Sequence, residues 1–73
     1  MEKLGIQNIV RKLRFATGEM TQQALADMVG ATRQTIASIE KNKYSPSLDL
    51  AFRIAQAFEV EISEVFSYEK IKK

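Results

Sequence analysis

The stretch GATRQTIASIEKNKYSPS, Gly30 to Ser47, decides how this chain is read. Thr32 is a good N-cap, and Ile36 and Ile39 recur at helical spacing behind it, so the stretch predicts a helix from Arg33 to about Lys41. Asn42 stands where that helix should stop and tolerates a left-handed backbone. A basic, tyrosine-containing loop then runs to Pro46. The first turn of this helix holds Arg33 and Gln34, although the positive end of a helix normally favours a carboxylate.

Working outward, Gly30 directly follows a second helix, Gln22 to Val29, capped by Thr21 and turning Leu25, Met28 and Val29 inward with Ala26 beside them. A first helix is expected from Ile6 to Thr17, with Ile9, Val10, Leu13 and Ala16 on one face. Ser47 caps a fourth, whose core positions are Leu48, Ala51, Ile54, Ala55 and Phe58. A short fifth spans Ile62 to Phe66, with Glu64 as the N3 member of a capping box and Glu61 at the cap. Phe15, Phe58, Leu48 and Phe52 are expected to pack. The tail SYEKIKK is either frayed or a short strand. Together these define an all-α class: one five-helix domain over residues 1–73, its central motif at about 21–41 and its polar tail from about 67.

Composition narrows the function. The 73 residues hold no cysteine and no histidine, so disulfides, thiolate nucleophiles, imidazole bases and the usual zinc ligands are all missing. No cofactor, no metal and no enzymatic activity are expected. No signal peptide and no apolar run near the ~18 residues of a membrane span is present, so a cytoplasmic protein is expected. Charge is uneven: Met1 to Tyr44 carries seven Lys/Arg against four Asp/Glu, whereas Ser45 to Glu69 carries one Arg against five acids. That asymmetry predicts one face for a polyanion.

The helix starts sharpen this. The fourth and fifth helices obey the dipole rule with Asp49 and Glu64, but the second and third begin Gln22-Gln23-Ala24 and Arg33-Gln34-Thr35, without a carboxylate. A surface that faces phosphates has that composition. The two helices and the tight corner at Gly30 have the geometry of a helix-turn-helix, which leaves Arg33, Gln34, Ala37 and Ser38 on the outside.

In LR (Leu13, Arg14), MTQQALADMVG (Met20 to Gly30), TRQTIASIEKNKYSPSLDLAFRIAQAF (Thr32 to Phe58) and EVFSYE (Glu64 to Glu69), the chain resembles the lambda-repressor-like helix-turn-helix regulators, over about Ile9 to Tyr68. The resemblance implies a sequence-specific regulator of transcription, a repressor that binds double-stranded DNA as a homodimer on a pseudo-palindrome. Arg33, Gln34 and Ser38 would read bases, and Gln22, Thr35, Lys41, Asn42, Lys43 and Tyr44 would hold phosphates. Arg14 and Glu40 would form a structural salt bridge. Ile62, Val65, Phe66 and Tyr68 are candidates for the dimer interface, although the first three are also candidates for the core. EVFSYE would end in a short piece of sheet, and no small-molecule effector is implied. The chain departs from common members at Glu61, which replaces a small cap, and at TGEM, which lengthens the first turn by one residue. A different class, an antitoxin-like protein-interaction module with secondary DNA binding, also accommodates a small helical domain.

Overall fold

The computed structural model describes residues 5–69. Strand β1 (Gly5–Asn8) leads into α1 (Val10–Ala16), α2 (Gln22–Val29), α3 (Arg33–Glu40), α4 (Leu48–Ala57) and α5 (Ile62–Val65), and strand β2 (Phe66–Glu69) closes the chain. The all-α expectation therefore holds for the body, with a small sheet added. The part of the polar tail at 70–73 lies outside the described residues.

Local chemistry sets the helix starts. Thr21 Oγ1 accepts the Ala24 amide at 2.9 Å, Thr32 Oγ1 the Thr35 amide at 3.1 Å, and Ser47 Oγ the Leu50 amide at 3.1 Å. Each cap satisfies an otherwise orphaned donor and contributes about 1 kcal/mol. At α5 the amide of Glu61 donates to Glu64 Oε2 at 3.4 Å.

The corner between α2 and α3 is set by Gly30, whose φ of +75° lets its own amide and that of Ala31 return to the Ala26 carbonyl. A Cβ there would stand 3.3 Å from Nη1 of Arg53, which donates to the Val29 carbonyl at 3.2 Å. Gly30→Ala is expected to cost about 1 to 2 kcal/mol through the left-handed backbone alone. Thermal melting would read this as a fall of about 4 to 8 °C per kcal/mol for a chain of this size. Asn42, at φ +58°, ends α3 in the same way.

The core is built from Val10, Leu25, Ala26, Val29, Ile36, Ile39, Ile54, Ala55 and Val65, so every helix sends at least one side chain into it. Five of these, Leu25, Ile36, Ile39, Ile54 and Val10, are the largest side chains that are fully enclosed.

Three expectations are corrected. The first helix starts at Val10 and not Ile6: residues 5–8 are a strand, paired antiparallel with β2 so that Ile6 faces Tyr68 and Asn8 faces Phe66. Asn8 makes the break. Its Oδ1 accepts the Val10 amide at 3.0 Å, which starts the helix there. Phe66 accordingly begins β2 and does not end α5. Second, Ile9, Met28, Phe15, Leu48 and Phe52 are 40–70% exposed and Ala16 is exposed, because no further element covers those faces. Leu48 lies in the first turn of α4 and is 70% exposed. Third, Val65 is 2% exposed within a single chain, so it is unavailable to a partner.

Candidate nucleic-acid interface

Helix α3 turns Ile36 and Ile39 fully into the core, which fixes what its other faces present. Arg33 and Gln34 stand exposed at its first turn, and Thr35, Ala37 and Ser38 are half-buried along it. Its first turn contains no acid, nor does that of α2, whereas α4 has Asp49 and α5 has Glu64. The Thr35 amide is taken by the cap, and the amides of Arg33 and Gln34 have no intrahelical acceptor. The end of the helix thus combines a positive dipole, free donors and a cation.

Two open depressions flank α3. One is lined by Thr32, Gln34, Thr35 and Ser38 together with Lys43 and Tyr44 from the loop after the helix. The other lies between α1, the start of α2 and the opposite flank of α3, and is lined by Arg11, Arg14, Phe15, Gln22, Ala37, Glu40 and Lys41. Among the described residues, Arg11, Arg33, Lys41 and Lys43 form no ion pair.

The one carboxylate in these linings, Glu40, is already committed. Arg14 donates Nε to Glu40 Oε2 at 2.6 Å and Nη2 to Oε1 at 3.0 Å, and Gln22 Nε2 donates to Oε1 at 3.1 Å. The remaining Arg14 fork reaches the Met20 carbonyl at 2.7 Å. Both side chains are buried, 7% and 6% exposed. Hydrogen bonding to Glu40 raises the Arg14 pKa further, against the opposing effect of burial, so the guanidinium stays charged at any working pH. The pair presents no net negative charge to the depression it floors.

The structure divides the sequence-derived residues. Gln34, Thr35, Ser38, Lys43 and Tyr44 converge on one flank, and Gln22 and Lys41 on the other, with Arg33 exposed at the leading end. Asn42 does not line either depression. Its Oδ1 accepts from Asn8 Nδ2 at 3.1 Å and its Nδ2 donates to Gln7 Oε1 at 3.3 Å, which ties it to β1. Of the interface candidates, Ile62 and Phe66 are half-buried against the core and Tyr68 is 67% exposed.

Two residues had not been singled out from sequence. Asn8 Nδ2 donates to the Ile39 carbonyl at 2.9 Å and so anchors the sheet to the end of α3; its signal is an Asn two residues before a helical run. Arg11 lines the second depression, and the Arg-to-Phe15 spacing of four residues on one helix face was a readable sign of contact.

Comparison with known proteins gives a consistent result. A helix-turn-helix family profile, of the Cro/C1 type, matches residues 10–65. The chain is 52% identical over 60 residues to an uncharacterised helix-turn-helix-type transcriptional regulator of Methanocaldococcus jannaschii, covering 80% of this chain and 91% of that one. It is 45% identical over 65 residues to the similarly described YgzD of Bacillus subtilis, covering 89% and 97%. Among solved structures it is similar, with a TM-score of 0.73 and 26% identity over 85% of this chain and 98% of the other, to a Bacteroides fragilis protein given a provisional DNA-binding description.

Proposed function

The chain belongs to the Cro/C1-type helix-turn-helix family of transcriptional regulators, and on that premise we propose that it represses transcription by binding a pseudo-palindromic DNA operator as a homodimer. The observation that carries this reading is the arrangement about α3, a helix with an exposed arginine at its leading end and, on each flank, a depression holding a lysine that is unpaired among the described residues. A helix inserted into a major groove about 12 Å wide has base edges ahead of it and a phosphate strand on either side. The arrangement matches that environment. An apolar partner surface would not call for cations on both sides of one helix.

In this reading Arg33 and Gln34 meet base edges, with guanine O6/N7 the natural acceptor for Arg33 and adenine N6/N7 for Gln34, and Ser38 follows one turn later. Lys41 holds one backbone strand, and Lys43 with Tyr44 holds the other. Gln22 and Thr35 serve the same strands from their respective depressions. One such helix reads too few base pairs to select an operator among competing sites, so two copies act together on half-sites roughly 34 Å apart. Leu48 and Phe52, exposed one turn apart on α4, and the Ile6–Tyr68 pair on the sheet are apolar surfaces open to a second copy. Repression is steric, through occupation of a promoter, and takes place wherever the chromosome lies in the cytoplasm.

Selection from random duplexes with the purified protein tests the reading. Enrichment of a two-fold repeated half-site supports it; enrichment of no sequence overturns it in favour of a protein-interaction module. On the selected operator, Gln34→Ala is expected to relax the preference at one base pair per half-site by about 1 to 3 kcal/mol. Lys43→Ala should weaken all duplexes alike. Equal discrimination by Gln34→Ala and the parent chain would remove Gln34 from base reading.

A further inference from the structure

We propose that the cleft between α1 and α3 seats a DNA backbone phosphate and that Arg11, held over the ring of Phe15, is its principal ligand. The proposal rests on the DNA-binding reading above and adds a strand contact from α1, outside the helix-turn-helix itself. Phe15 stands 52% exposed where an apolar residue of α1 could have been covered. Instead, the guanidinium carbons of Arg11 and Arg14 both lie 5.2 Å from its ring centroid, within the range of a cation–π contact.

The two arginines are in different states. Arg14 spends Nε and Nη2 on Glu40 and Nη1 on the Met20 carbonyl. Arg11 has no hydrogen-bond partner or ion pair among the described residues, so contact with the Phe15 ring positions a guanidinium whose donors remain free. A planar fork restrained in this way loses less freedom on meeting a phosphate than a free side chain does.

The surroundings suit an anion. Arg11 of α1, Gln22 of α2 and Lys41 at the C-cap of α3 reach one cleft, and its floor, Glu40, is neutralised by Arg14. Ala37 lines the same cleft and lies one turn after Arg33 on α3 and four residues before Lys41, its C-cap. The cleft is therefore continuous with the exposed stripe of the reading helix, and its small side chain leaves room for a strand to approach. The opposite flank has Lys43 and Tyr44, and on this flank Arg11 joins Lys41 in gripping the other strand.

Fluorescence anisotropy against salt tests this, on the selected operator and on a scrambled duplex, with the full chain and with Arg11→Ala, Lys12→Ala and Lys43→Ala. Arg11 is exposed, and thermal melting of each variant confirms that it is folded. Arg11→Ala is expected to lower the slope of log K against log salt by about 0.9 per half-site, and to weaken binding about eightfold per half-site near 0.1 M salt, on both duplexes. Lys12→Ala removes the same charge one residue away; Lys12 lines an adjoining hollow with Arg11 and Phe15 but not the cleft that Gln22 and Lys41 share, so the slope should fall by less than in Arg11→Ala. A parental slope in Arg11→Ala, or an equal fall in Lys12→Ala, overturns the proposal. If Lys43→Ala lowers the slope while Arg11→Ala does not, only the cleft is lost. If the parent chain binds no duplex at all, the DNA-binding reading fails and takes the cleft with it.

Discussion

Arg14→Met is expected to destabilise the fold by about 3 to 5 kcal/mol, the cost of leaving a buried partner charge uncompensated. The whole stability of a chain this size is about 4 to 11 kcal/mol, so the variant would lose at least about a quarter of it. The reason lies in what remains. Glu40 is 6% exposed and would keep only the Gln22 amide as a donor, while the Met20 carbonyl would lose its partner too. The double variant Arg14→Met, Glu40→Leu should recover most of the loss, because replacing both charges by apolar groups removes the desolvation cost together with the attraction. Urea midpoints of parent, singles and double give the coupling directly. A loss below about 1 kcal/mol in Arg14→Met would place this pair among exposed ion pairs, against its burial. Because the folded Arg14 pKa is raised, its contribution is fully present below the unfolded guanidinium value and is lost only as pH rises beyond the folded one. The difference between parent and Arg14→Met should therefore stay constant across neutral pH as far as Arg14 is concerned.

What could be read from sequence was what is decided locally. Thr21, Thr32 and Ser47 cap their helices through their own side chains, and Gly30 and Asn42 end theirs through a backbone conformation open to few residue types. Such features depend on neighbours three or four positions away, and residue type at that spacing reports them. Strand β1 depends on a partner at the other end of the chain. Ile6 and Ile9 fall in phase with Val10 and Leu13, so periodicity alone merges strand and helix, and only Asn8 marks the boundary. Exposure was misread for a related reason. Periodicity places Met28, Leu48 and Phe52 on a face, but whether another element covers that face is a property of the assembled fold. The candidate interface shows the same division: the exposure of Arg33 and Gln34 follows from the phase of α3, whereas the turning of Asn42 toward Gln7 and Asn8 depends on a strand that periodicity hides.

Raising salt from about 50 to about 200 mM should weaken operator binding roughly 1,800-fold, and the size of the fall counts the phosphate contacts. Each chain offers to the two flanks of α3 three cations that are unpaired among the described residues: Arg11 and Lys41 on one side and Lys43 on the other. Arg33 is assigned to a base and does not enter the count. A dimer would then engage six phosphates, and at about 0.9 per contact the slope of log K against log salt is near −5.4. Without Arg11 the dimer engages four, the slope is near −3.6, and the same change in salt costs only about 150-fold. A single protomer with all three cations gives a slope near −2.7 and a loss of about 40-fold. The outcomes are separated by more than the scatter of a titration, so one series distinguishes dimer from monomer and cleft from no cleft. A slope near zero would mean that the partner is not a polyanion, since apolar association is strengthened rather than weakened by excluded salts. The cations beside α3 would then have no ligand, and the arrangement of its two flanks would lose the role proposed for it on DNA.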